Sequence, residues 1–127
     1  MVLSNRTQGQ QAEKLARDFL QQQGLIFITG NFSCRWGEID LIMREKSTLV
    51  FIEIRFRSSS QFGYAIETVT PKKQSKIINT ALFFIQCHKK FINYSMRFDV
   101  VAFQKISSKT PTKPTLNWIK NAFAMDI

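Results

Sequence analysis

Gly37-Glu38-Ile39-Asp40-Leu41-Ile42 and Val50-Phe51-Ile52-Glu53-Ile54-Arg55-Phe56-Arg57 decide the reading of this chain. Both segments alternate, so successive side chains point to opposite faces of a strand. In the first, Glu38 and Asp40 share one face and Ile39 and Leu41 take the other. In the second, Glu53, Arg55 and Arg57 share a face, while Val50, Ile52, Ile54 and Phe56 turn to a core. Arg44 to Thr48, polar and charged, reads as the hairpin loop between them. If the strands pair, Asp40, Glu53 and Arg55 meet on one sheet face.

Two acids and a cation two residues further on suit metal-dependent phosphodiester chemistry. Hard divalent ions take oxygen ligands, commonly one or two carboxylates with water and substrate phosphate. The ion activates water and neutralises charge on the phosphorus oxygens, and a nearby cation shares that load. The plain alternative is an exposed sheet face carrying weak ion pairs. Spacing alone is compatible with both.

The remaining chain sets the context. Its 127 residues suit one domain with a real core, and a hydrophobic share of 44% with 12 phenylalanines fits a globular protein. No apolar run approaches the roughly 20 residues that span a bilayer. Met1 to Gln11 is polar, without the apolar centre of a secretion signal. Cys34 and Cys87 have no zinc or redox spacing, so free buried thiols in a reducing cytoplasm are expected. Lys plus Arg number 18 against 9 Asp plus Glu, a net +9, which favours a polyanionic partner. Nucleic acid is preferred over a membrane surface, because no segment joins a basic face to a spare apolar one.

A helix is expected from about Thr7 to Gln23, stopping at Gly24, with Ala12, Leu15, Ala16, Phe19 and Leu20 as its apolar stripe. Glu13 falls at the stripe's edge, where helix meets sheet, although it also stands four residues from Arg17 and can pair with it. Leu25 to Cys34 reads as an edge strand interrupted at Gly30-Asn31. Ser58 to Tyr64 is a loop. Thr70-Pro71 starts a second helix, with Ile77, Ile78, Ala81, Leu82 and Ile85 inward. Lys72, Lys73 and Lys76 crowd its first turns, where the helix dipole disfavours cations but attracts phosphate. A solvated basic face is the alternative. His88, near Lys89 and Lys90 at a helix end, reads as a surface or capping residue. Arg97 to Phe103 is a strand, Gln104 to Thr115 a mobile basic loop, and Leu116 to Ile119 a short edge strand before the tail. Repeats, a glycine-rich phosphate loop and a dinucleotide fingerprint are all absent from the sequence.

Taken together, Gly9-x-x-Ala12-Glu13, Gly37-Glu38-Ile39-Asp40-Leu41-Ile42, Val50-Phe51-Ile52-Glu53-Ile54-Arg55, Phe62-Gly63, Pro71-Lys72-Lys73 and Arg97-Phe98-Asp99-Val100-Val101 resemble the YraN-type family of bacterial proteins. That family is similar in layout to the PD-(D/E)-x-K nucleases, archaeal Holliday-junction resolvases among them. The resemblance implies an α/β, restriction-endonuclease-like core, with a mixed central sheet, an N-terminal helix and a second helix packed on it. It also implies catalytic and metal-binding roles for Glu13, Asp40 and Glu53 around one or two Mg²⁺ or Mn²⁺ ions; Glu38, on the same strand face as Asp40, is expected nearby but outside the inner shell. Arg55 stands where the superfamily has lysine. Arginine stabilises phosphate charge but stays protonated, so it is a poor general base.

The expected function is therefore a DNA-directed, metal-dependent endonuclease, with branched DNA a candidate substrate. Arg55, Arg57, Lys72, Lys73 and Lys76 are expected to flank the acids and hold the backbone. Two rivals remain: a non-catalytic DNA or RNA binder on a nuclease fold, and a basic assembly factor. The sequence leaves open whether the chain acts alone or as a homodimer.

Overall fold

The computed structural model describes residues 5–57, 68–104 and 115–125. The expectations for the loops at Ser58 to Tyr64 and 105–114 lie outside the described residues. Helix α1 spans Asn5–Gln22, and strands β1 (Ile26–Cys34), β2 (Gly37–Glu45) and β3 (Thr48–Arg57) follow as a meander. Helix α2 (Pro71–Cys87) and a 3₁₀ turn (Lys89–Phe91) lead to β4 (Ser95–Gln104) and β5 (Leu116–Phe123). The strands form one sheet in the order β1-β2-β3-β4-β5. Only β3 and β4 run parallel; the other three pairings are antiparallel. The parallel pair needs a crossover, and α2 supplies it.

Each face of the sheet is covered by one helix. Ala12, Ala16 and Leu20 of α1 pack with Leu41, Met43, Val50, Ile52, Val101 and Phe103. On the other face, Ile77, Ala81 and Phe84 of α2 pack with Ile39, Ile42, Leu49, Phe51, Phe98 and Val100. From Leu49 to Ile52, β3 is therefore apolar on both faces, as a central strand of a two-sided sheet must be. Its charged residues begin only at Glu53, beyond the apolar stretch that packs on both helices. This is a mixed α/β sheet between two helices, consistent with the restriction-endonuclease-like core.

Several local readings change. The β2–β3 loop shrinks to Lys46-Ser47, with pairing continuing to Glu45↔Thr48 and Lys46 at φ 53°. Ile39 and Leu41 enter opposite cores, not one. Phe56 is 52% exposed and stacks on Phe103 at the sheet's edge. Leu15 and Leu82 face solvent, and Thr80 takes an inward place on α2. The buried Thr80 hydroxyl donates to Lys76 O at 2.7 Å, so its burial leaves no unmet donor. Cys34 and Cys87 are free, but Cys34 is half-buried and Cys87 exposed.

Other readings hold. Thr70 caps α2 by accepting the Lys73 N–H, and Pro71 occupies the first turn. His88 is the C-terminal cap; its Nδ1 lies 2.9 Å from Phe84 O and its ring stacks on Phe84. None of the described helices is long and apolar enough to cross a membrane.

Asp99, on β4, is fully buried yet completely satisfied. Arg97 binds it through Nε at 3.0 Å and Nη2 at 3.1 Å. Trp118 Nε1 and the Asn121 N–H each donate to it at 2.9 Å. Arg97 also reaches Glu45 at 3.1 Å, so this carboxylate ties β2, β4 and β5 together. Burial works against the Arg97 charge, but its bonds to Asp99 and Glu45 outweigh that and raise its pKa.

Candidate functional site

The β2–β3 ladder ends at Leu41↔Ile52. By that register Asp40 and Glu53 would be the next opposed pair, but the strands part there. Asp40 Oδ2 instead accepts the Ile54 N–H at 2.8 Å, replacing a ladder carbonyl with a side chain. In an extended strand the N–H and C=O of one residue serve the same edge, so the Ile54 carbonyl faces this gap as well. Across on β1, Asn31 has φ 52° and drops out of the ladder between Gly30↔Leu41 and Phe32↔Ile39. Ile39 and Leu41, on either side of this interruption, enter different cores. Asp40 sits at the break.

That position opens Asp40 to both sides of the sheet. A cleft of about 390 Å³ beside α1 is lined by Gly9, Gln10, Glu13, Asn31, Asp40, Ile54 and Phe56. A second, of about 410 Å³ beside α2, is lined by Glu38, Asp40, Glu53, Ile54, Arg55, Lys73 and Lys76 with Gly37 and Ile77. Asp40 and Ile54 are common to both. Glu13 reaches Asp40 from the α1 side and Glu53 from the α2 side, and among the described residues no three His, Cys, Asp or Glu form a ready metal-binding group.

Glu13 is held by Asn31, whose Nδ2 donates to Oε2 at 2.6 Å. Gly30 makes room for it: a Cβ there would overlap the Glu13 carboxylate. Gly30→Ala is therefore expected to push that carboxylate away from Asp40 without disturbing the helix. Mn²⁺ affinity of Gly30→Ala should fall as it does for Glu13→Gln, with the melting temperature little changed. Equal affinity for Gly30→Ala and the wild type would remove Glu13 from the site.

The acids are electrostatically uneasy. Burial, first, raises the Asp40 pKa, against the Ile54 hydrogen bond; Glu38 and Glu13 add to the rise and Arg55 opposes it. Glu53 is pushed up to about 8, chiefly by burial and then by the charge of Asp40. Arg55 bonds Glu53 Oε2 at 3.1 Å and Lys73 adds attraction, but neither offsets those two effects. Arg55 Nε is buried and has no acceptor among the described residues. A buried donor without a partner costs on the order of 1–3 kcal/mol. Asp99 shows how this sheet treats a structural carboxylate, with four donors. Among the described residues Asp40 and Glu53 have one each, and their hard oxygen donors fit a divalent cation, which needs only one or two carboxylates.

The sequence profile of the uncharacterised protein family UPF0102 matches residues 12–103, from α1 through β4. The chain belongs to the UPF0102 family. This is the YraN-type family that the motifs resemble. A UPF0102 protein of Coxiella burnetii (strain RSA 493 / Nine Mile phase I) is 46% identical over 118 residues, covering 93% of this chain and 92% of its own. One from Saccharophagus degradans is 44% identical over 126 residues and 99% of both chains. One from Vibrio vulnificus (strain YJ016) is 43% identical over 122 residues, 95% of each.

Within this UPF0102 chain the basic residues divide. Arg55, Lys73 and Lys76 line the α2-side cleft with the acids. Lys72 is exposed on the same turn of α2 but does not line that cleft. Arg57 ends β3, and its side chain lies outside the described part. Sequence reasoning missed the Ile54 backbone, the Asn31 amide and the space at Gly30. The interruption at Gly30-Asn31 was the available signal, and it marks the site rather than a weak strand.

Proposed function

We propose that this UPF0102 protein is a divalent-metal-dependent endonuclease acting on DNA, its acids centred on Asp40 and Glu53. The observation that carries the reading is the Asp40–Glu53 pair at the parting of β2 and β3, half-buried and buried respectively, with one donor each among the described residues and flanked by Arg55. Asp40 and Glu53 would hold Mg²⁺ or Mn²⁺, with Glu13 approaching through Asp40. When bound, the ion supplies charge neutralisation and an activated water. Arg55 offers an unfilled Nε donor and a permanent positive charge for the phosphate oxygens. Lys73, near enough to favour the ionised form of Glu53, brings an ammonium to the same cleft. Lys72 and Lys76 extend the positive surface along α2 for the nucleic-acid backbone.

The presence of Arg55 favours a second reading, a DNA binder on this fold that does not cut. Purified protein incubated with four-way-junction and linear DNA, with and without Mn²⁺, separates the two. Cleavage that requires Mn²⁺ and is lost in Glu53→Gln supports the nuclease; salt-sensitive binding without cleavage supports the binder. Under the nuclease reading, Arg55→Lys should raise the rate, because lysine restores an ammonium that can orient water. Lys72→Ala with Lys73→Ala should weaken binding to all sequences and flatten the salt slope by up to roughly two. An unaltered slope would move the binding face elsewhere.

A further inference from the structure

The tip of the β1–β2 hairpin carries a feature that the acidic site does not use. Arg35 and Trp36 form the turn between Cys34 and Gly37, which pair to close the hairpin. Trp36 is 43% exposed, although its ring is large and apolar. Tryptophan is highly buried on average, so one left open on a tight turn forgoes considerable hydrophobic stabilisation. The Arg35 guanidinium lies 4.7 Å from the Trp36 ring centroid, which holds the ring and adds a positive charge over one face.

The tip is anchored beside the acids. Gly37 has φ 148°, a conformation side chains rarely adopt, and a Cβ added there would lie 3.4 Å from Thr80 Oγ1 and 3.6 Å from Lys76 Cβ, so the turn lies close to α2. Gly37 also lines the α2-side cleft with Glu38, Glu53 and Lys76. Trp36, the residue before Gly37, is on the turn that adjoins that cleft. A cleft carrying Arg55, Lys73 and Lys76 with an exposed aromatic ring on the adjoining turn is the combination that binds unpaired nucleic acid, the cations tracking phosphates and the ring stacking a base.

We infer that Trp36, steadied by Arg35, is a stacking platform for an unpaired nucleobase, so that the substrate class is DNA with a single-stranded segment next to the acidic cleft. The inference rests on the nucleic-acid reading above. A fully paired duplex keeps its bases stacked on one another and has none to offer the ring; a frayed end, flap or junction does.

The chain has two tryptophans, and they differ in a useful way. Trp118 is half-buried, packs edge-on against Phe19 and donates to Asp99. Trp36 is the one free to stack. Titrating the full chain with a 20-nucleotide oligo-dT in low salt without divalent ions should quench the wild-type tryptophan fluorescence. Trp36→Phe should bind with similar affinity but lose most of the quench. Trp36→Ala should lose about 5- to 150-fold in affinity for oligo-dT and less than about twofold for a blunt duplex. Oligo-dT affinity within twofold of wild type in Trp36→Ala would overturn the platform; if Lys72→Ala with Lys73→Ala still weakens binding, the nucleic-acid reading survives. Wild-type protein that binds neither DNA would overturn both.

Discussion

Asp99→Ala is expected to destabilise the protein by about 3–5 kcal/mol, a large share of the roughly 5–15 kcal/mol that holds a domain folded. Asp99 accepts from Arg97 twice, from Trp118 and from the Asn121 backbone, all within 3.1 Å. Removing it leaves the Arg97 guanidinium, only 18% exposed, with Glu45 as its remaining partner. It also leaves the Trp118 N–H and an Asn121 N–H unmet, removing two of the bonds that tie β5 to β4. Urea denaturation of wild type and variant measures the difference directly. A loss below about 1 kcal/mol would mean that β5 is held mainly by its apolar contacts, Phe98 on Phe123 among them.

Glu53→Gln is expected to abolish metal-dependent cleavage and to change how stability follows pH. The folded-state pKa of Glu53 is raised to about 8 from an ordinary value near 4.5. The folded protein therefore binds this proton more tightly than the unfolded chain. Its contribution to stability is complete below pH 4.5, declines as pH rises and is lost above about 8. Gln mimics the protonated acid at every pH. In melts with EDTA, Glu53→Gln should thus exceed the wild type at pH 8.5 and lose that advantage at pH 4.5. Comparing the two at each pH cancels the repulsion among the chain's excess cations, which also changes with acid. Mn²⁺ at pH 8.5 should raise the wild-type melting temperature by several degrees and leave the variant unmoved. Parallel pH profiles would show that Glu53 is not the strained acid.

The sequence made the strand pair, both helices and the α2 cap readable because each carries a local signal. Alternation marks β2 and β3, and Thr70-Pro71 marks the start of α2. Features set by distant partners were hidden. Lys46 gave no turn signal, since glycine or asparagine is the usual occupant of a positive-φ position in a two-residue hairpin. The alternation of Ile39 and Leu41 breaks at Asp40, where Asn31, on another strand, is also out of the ladder. Leu82 looked like core, but Thr80 takes an inward place, its hydroxyl satisfied by its own helix backbone. Of the candidate site, Asp40, Glu53 and Arg55 were legible from one hairpin. The arrangement of Glu13 on one side of Asp40 and Glu53 on the other was not, because it needs the parting of two strands that simple alternation assumes to stay paired.

Whether Asp40 and Glu53 together hold a divalent ion is decided by Mn²⁺ titration calorimetry at pH 7 on wild type and Asp40→Asn. Run in two buffers of different ionisation enthalpy, the wild-type titration should show saturable binding with release of up to about one proton per ion, as Glu53 gives up its proton to the metal. Asp40→Asn should bind at least about tenfold more weakly. The same isotherm in Asp40→Asn as in wild type, or no wild-type binding at millimolar Mn²⁺, would contradict the account.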